Sequence, residues 1–230
     1  MTSTQIIAIV IFLVTMAAIM TEKLHRTVAA VAGALLLILT GVLSVESGFS
    51  YVDLNTLGVL IGMMLFVAVV KNSGIFEYIA IKAAKIAKGR PWPLMVLFAL
   101  ITAVLSAFLD NVTTVLLIGP MTLAITSMLR INPIPFFMTQ IMASNIGGTA
   151  TLIGDPPNIM IGSAAGLSFT DFITNTGVAV LFVLAATIVC FYFIYGRKLH
   201  VEPEAMDSIL QLDENKAIKD RSLLIKSVVM

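Results

Sequence analysis

Two polar islands interrupt an otherwise apolar chain, and both carry residue types that can bind or move an ion. The first is Ser106 with Asp110-Asn111-Val112-Thr113-Thr114. The second is Ser144-Asn145-Ile146-Gly147-Gly148-Thr149-Ala150-Thr151, continuing to Gly154-Asp155-Pro156-Pro157-Asn158. A carboxylate deep in hydrocarbon costs a few kcal/mol or more, so an ionisable residue there is read first as a functional group. Asp110 is therefore a candidate proton or ion carrier, able to gain or lose a proton as burial and neighbouring charge change, and Asp155 is the second. Asn111, Thr113, Thr114 and Asn145 supply neutral ligands. Asp110 and Asn111 are also common N-cap types for a helix starting at Val112. The two roles are compatible, because the N-terminus of a half-helix offers free N–H groups and positive dipole to an anion. In the second island, paired glycines followed by Asp-Pro-Pro-Asn cannot remain regular helix, since proline removes a donor and pushes the preceding residue out of the helical region. The stretch 134–166 is expected to be a broken helix, with carbonyls around Gly147, Gly148 and Gly154 available to a cation such as sodium. The alternative, a surface loop, conflicts with the immediate return of apolar residues on both sides.

The elements that hold these islands are membrane helices. The chain has 230 residues, 59% hydrophobic and 12% charged, with a mean hydropathy of +1.03. Soluble domains run nearer about 25% charged. At about 20 residues per crossing there is room for five or six spans. Apolar runs fall at about 5–20, 27–43, 56–71, 134–166 and 176–196, with two more, 92–109 and 112–129, flanking the first island. No basic region precedes the run at 5–20 and no small-residue cleavage site ends it, so it reads as a span rather than a signal peptide. Residues 72–90 alternate lysines with isoleucines and predict a basic amphipathic helix in the interface. A net charge of +1 gives no basic stripe for nucleic acid. Two histidines, His25 and His200, and the single Cys190 give neither a disulfide framework nor a zinc cluster; Cys190 reads as a small apolar filler.

Short cytoplasmic loops collect Lys and Arg. Lys23 and Arg26 follow the first span, Lys71 to Arg90 the third, and Arg130 the paired stretches. Arg197, Lys198, Lys216, Lys219, Arg221 and Lys226 follow the last, while connections 44–55 and 167–175 have none. This puts the N-terminus outside and makes 92–129 begin and end on one side, as two full spans with a short turn or as a re-entrant hairpin. The turn Leu109 to Thr114 has no room for an aqueous loop, and irregular backbone at membrane depth survives only where it lines a cavity or is buried in protein. The hairpin is therefore the expected reading. Five crossings remain, and a unit with an odd number of crossings inverts when duplicated, a plan common among secondary transporters. The expected organisation is a first transport repeat over 1–196, a cytoplasmic linker over 197–222, and the start of a second repeat over 223–230, the chain being about half of a longer transporter.

At these residues the chain resembles the ion-transporter superfamily that includes ArsB arsenite permeases, NhaD-type sodium/proton antiporters, the P protein and the citrate and dicarboxylate carriers. The likeness rests on Ser106 to Thr114, on Ile118-Gly119-Pro120, and on the run from Ser144 to Asn158. The fold expected from the apolar runs and the charge map is all-α and integral to the membrane, one inverted-repeat unit of five transmembrane helices plus a re-entrant helical hairpin and a broken helix. By analogy with the superfamily's carboxylate carriers, the site is Ser106, Asp110, Asn111, Thr113 and the backbone near Asn145 to Gly148; with the other residues of the two islands the candidate substrate or ion site is Ser106, Asp110, Asn111, Thr113, Thr114, Ser144, Asn145, Gly147, Gly148, Thr149, Asp155 and Asn158, with sodium at Ser106, Asn111, Asn145 and Gly148. No cofactor is expected beyond a coupling proton or sodium ion. The expected partners are a small inorganic ion or small-molecule substrate, the lipid bilayer, the second half of the same polypeptide and a second copy in a homodimer, with no nucleic acid. The location is a bacterial or archaeal inner membrane. In the carboxylate carriers the hairpin apex reads Ser-Asn-Thr. Asp110 stands here where they have serine, and its negative charge favours a neutral species, a cation or proton coupling. The expected function is thus an ArsB- or P protein-like permease for a small inorganic species such as arsenite, moving hairpin and broken helix against the other spans. The alternatives are a sodium/proton antiporter and a di- or tricarboxylate carrier. More remote are a non-transporting membrane subunit and an intramembrane aspartyl protease, for which the position two before Gly154 is Leu152 rather than glycine.

Overall fold

A computed structural model describes residues 2–220 and Leu223; these residues form helices and turns, with no strand among them. They fall into two compact units, Met1–Leu54 and Asn55–Met230. In the first unit, α1 (Ser3–Met20) starts from a capping box in which Thr2 and Gln5 satisfy each other's backbone N–H groups. It buries no residue, as suits a helix whose surroundings are lipid. α2 (Arg26–Leu39) packs on α1 through Gly33, where a Cβ would fall on the Thr15 side chain. The sequence suggests an apolar span over 27–43, but α2 stops after 14 residues, about 21 Å of helix. Gly41 follows in the left-handed region at φ +71°, which ends the helical run. α3 (Val45–Ser50) is a short helix capped by Ser44.

In the second unit, α4 (Leu54–Asn72) leads into α5 (Ile75–Ile86). α6 (Pro91–Ser106) and α7 (Asn111–Met128) form the two arms of the hairpin, and α8 (Ile134–Gly148) and α9 (Pro156–Ala165) lie on either side of an irregular stretch. α10 (Phe169–Phe172) continues through a π-helical turn, Ile173–Gly177, into α11 (Val178–Ile194). Among the described residues, four helical stretches are long and apolar enough to cross a membrane: Ser3–Met20, Leu54–Asn72, Asn111–Met128 and the continuous Phe169–Lys198. Three coincide with expected spans. The fourth, α7, belongs to the stretch read as re-entrant, and its 18 residues reach about 27 Å, so length alone does not select re-entry.

α6 and α8 run side by side in the same direction, both ending at the polar islands. Phe98 meets Phe136 edge-to-face at 6.5 Å between ring centroids, within a core that also holds Leu94, Met95, Ile125 and Leu129. α5 differs from its expected role. Its apolar stripe, Phe76, Ala80, Ala83 and Ala84, is buried in clusters with residues of neighbouring helices, not turned toward lipid. The linker expected over 197–222 also folds back: α12 (Pro203–Leu210) packs on α5 and α7, and a 3-10 turn, Glu214–Ala217, packs on α5. Of the proposed second-repeat stretch 223–230, all but Leu223 lies outside the described residues.

Candidate ion and substrate site at the hairpin tip

α6 ends at Ser106 and α7 opens at Asn111 with Asp110 as its N-cap. Asp110 Oδ1 accepts from the Thr113 backbone N–H at 2.8 Å, satisfying one of the free donors at the helix start. Its other oxygen has no hydrogen-bond partner among the described residues, so the carboxylate both caps the helix and keeps a free face. α8 ends at Gly148, and the backbone stays irregular until Asp155, after which Pro156 and Pro157 occupy the first helical positions of α9, where a missing N–H costs nothing.

The two islands meet at the tip. Ser106 Oγ donates to the Ser144 carbonyl at 2.8 Å, and both side chains are buried. Asn111 Nδ2 donates to Asn145 Oδ1 at 3.1 Å, while Asn111 Oδ1 accepts from Val112 N–H at 2.9 Å and Asn145 Nδ2 donates to the Ile141 carbonyl at 2.8 Å. The carboxamide pair thus ties the start of one hairpin arm to the end of the helix before the break. Thr151 Oγ1 donates to the Ala107 carbonyl and accepts from Gly154 N–H at 3.1 Å. Asn158 reaches back from α9, donating to the carbonyls of Gly148 at 3.2 Å and Thr151 at 2.9 Å, so the break is closed by side chains.

Glycine makes this approach sterically feasible. A Cβ on Gly147 would fall on the Ala103 backbone, and one on Gly154 would fall against Gly148 and within 2.8 Å of the Ser106 carbonyl oxygen. Asp155 directly follows Gly154, whose backbone lies against Gly148 and the Ser106 carbonyl. Ser106, Asp110, Asn111, Ser144, Asn145, Gly147, Gly148, Asp155 and Asn158 therefore share one locus. Thr113 contributes its backbone N–H to the Asp110 cap. Thr114 is fully buried, its hydroxyl without a partner among the described residues. Thr149 donates to the Asn145 carbonyl at 2.8 Å and is exposed.

Two clefts flank the locus. One, of about 310 Å³, is lined by Asn111, Val112, Val115, Leu116, Ile141, Ser144 and Asn145. The other, of about 420 Å³, has Asn145 and Thr149 on one wall and Asn175 and Thr176 of the π-helical turn on the other. Asn145 borders both. Asn175 and Thr176 were not singled out in the sequence, although the polar run Thr174-Asn175-Thr176-Gly177 directly before the last span was a usable signal, since π-turns gather at functional sites. A second feature missed is the polar seam below the tip. Gln140 Nε2 donates to Thr122 Oγ1 at 2.8 Å, and both residues are buried, as is Thr102 one turn before Ser106. The four oxygens suggested for sodium, on Ser106, Asn111, Asn145 and Gly148, fall in this one locus. Three already accept a protein hydrogen bond, so a cation would share them.

The sequence profile described as "citrate transporter" matches residues 16–230. A "46 kDa membrane protein" of Mycobacterium leprae is 42% identical over 98% of this chain and 54% of its own length. An uncharacterized transporter of Mycobacterium tuberculosis is 41% identical over 96% of this chain and 52% of its own. The human "P protein" is 38% identical over 80% of this chain and 23% of its own. The chain spans about half the length of the mycobacterial relatives. With four helices of crossing length among the described residues, it is a multi-pass membrane protein.

Proposed function

The chain belongs to the citrate transporter family, and from that membership we propose that it forms the first half of a secondary active transporter whose substrate and coupling ion meet at the hairpin tip. The family is one of transporters, which removes the aspartyl protease reading. The observation that carries the proposal is the Asn111–Asn145 hydrogen bond. It brings the two polar islands together beside two carboxylates, and nothing in packing apolar helices calls for such a set. Binding at such a locus alters contacts on both hairpin and broken helix, which is what a coupled conformational change needs.

Asp110 is the coupling group, taking up a proton or holding a cation with its free oxygen. The substrate is a small inorganic ion or oxyanion such as arsenite. A sodium/proton antiporter is the second reading, favoured by the presence of two carboxylates, Asp110 and Asp155, in the two polar islands, since carboxylates can hold a cation or carry a proton. A di- or tricarboxylate carrier is the third, supported by the family's description. The basic connections lie on the cytoplasmic side with the N-terminus outside, in the inner membrane of a bacterium or archaeon. A second inverted half completes the site, and a homodimer carries it.

The test uses the full-length protein in lipid vesicles. Arsenite uptake, citrate uptake and sodium-driven proton flux are measured for wild type and for Asp110→Asn. Loss of flux of at least tenfold with normal membrane insertion is expected for whichever species is carried. Undiminished flux in the variant would refute the coupling role, and sodium-driven proton flux without arsenite or citrate uptake would select the antiporter.

A further inference from the structure

The chain after α11 does not leave the helices it follows. α12 buries Ala205 and Ile209 in the cluster that holds Leu94, Phe98, Leu129 and Phe136, and Leu212 packs on the same cluster. Lys85 Nζ donates to the Leu212 carbonyl at 3.2 Å and pairs with Glu214 Oε2 at 2.5 Å. Lys219 N–H donates to the Ser73 carbonyl at 3.0 Å, and the Lys219 ammonium pairs with Glu77 at 3.6 Å.

These contacts straddle the two ends of α5. Each end is a left-handed glycine turn, Gly74 at φ +83° and Gly89 at φ +68°, a conformation that glycine enters without steric cost and that suits a hinge. The returning segment lies on both. A Cβ on Gly74 would fall on the Ala217 carbonyl, and one on Gly89 would come within 2.9 Å of Met206 Cα. α5 joins α4 to the first hairpin arm and packs on the second, so what holds its hinges also holds the hairpin base.

We propose that residues 203–219 form a strap that clasps α5 to the base of the hairpin, locking the Gly74 and Gly89 hinges while it is closed, with the Lys85–Glu214 pair as its release point. Among the described ion pairs this one is the shortest and has its cation least exposed. It also sits between the apolar anchor at Ile209 and the backbone bond at Ser73, so losing it frees the strap along its middle.

The experiment is hydrogen exchange on the full-length protein in lipid vesicles, and it needs no substrate, so its outcome is independent of the transport reading. Glu214→Ala is expected to speed exchange at least tenfold in 205–217 and also in 75–86 and 125–131, leaving 141–154 unchanged. The swap Lys85→Glu with Glu214→Lys is expected to restore protection. Faster exchange in 205–217 alone would make the segment a docked tether and overturn the clasp, as would faster exchange spread evenly into 141–154. Should Glu214→Ala fail to fold, raising salt from about 0.1 M to 1 M screens the pair in the wild type. The same graded pattern is then expected, and its absence overturns the proposal.

Discussion

At the hairpin tip Gly147 lies against the Ala103 backbone and Gly154 against Gly148, whereas at the base the same helices are spaced by Phe98, Phe136, Leu129 and Ile209. The tip is joined backbone to backbone through short polar side chains; the base is joined through bulky apolar side chains and the ion pairs of the folded-back segment. Small residues at helix contacts let backbones approach closely, a means of association that works where lipid surrounds the helices. An apolar core with a folded-back segment is closer to soluble packing, where burial itself stabilises. At Gly147 and Gly154 the tip therefore has no room for a side chain, while the base is held largely by side-chain packing.

The largest effect expected from this difference is at Gly147. Gly147→Leu puts a side chain where the Ala103 backbone stands, and overpacking of this kind costs about 3 kcal/mol or more; loss of the folded protein from detergent extracts, or a steep fall in thermal midpoint, is the check. A variant as stable as wild type would mean the tip gives as readily as the base. Next is Ile209→Ala at the base, which removes a fully buried side chain and is expected to lower stability by about 2–4 kcal/mol while leaving exchange protection at 141–154 intact. The smallest effect is on acidification. The hydrogen bond from Lys85 holds the Glu214 carboxyl below its ordinary value of 4.5, with the lysine's charge adding to it. A lowered folded-state value stabilises above the unfolded value and is lost as pH falls through the folded one. Protection of 205–217 should therefore weaken only as pH drops below about 4.5, ahead of any change in α8. Strap protection that is flat down to pH 3 would disconnect the pair from docking.

The tip was more legible in the sequence than the base, for a physical reason. Asp110, Asn111, Gly147, Gly148 and the Asp155-Pro156-Pro157 run are costly or conformationally exceptional inside apolar segments, so their residue types alone mark them. The base is built from Leu94, Phe98, Ile125, Leu129 and Phe136, which look like any lipid-facing residue, and hydropathy does not separate a helix face in lipid from one in a protein core. The same ambiguity misplaced α5: its basic amphipathic pattern fits an interfacial helix, yet the stripe of Phe76, Ala80, Ala83 and Ala84 is covered by protein. The folded-back segment escaped notice because its apolar anchors, Ile209 and Leu212, are isolated among charges. The apolar run over 27–43 reaches past the end of α2 at Leu39 because hydropathy carries no signal for the left-handed turn at Gly41.

Asn145 is a wall common to both clefts. Its carboxamide is asymmetric, with one end donating to the Ile141 carbonyl and the other accepting from Asn111. Turning that amide over would set its oxygen against the Ile141 carbonyl and its NH2 against the Asn111 NH2, losing both bonds, so these two partners fix one orientation of the group that borders both clefts.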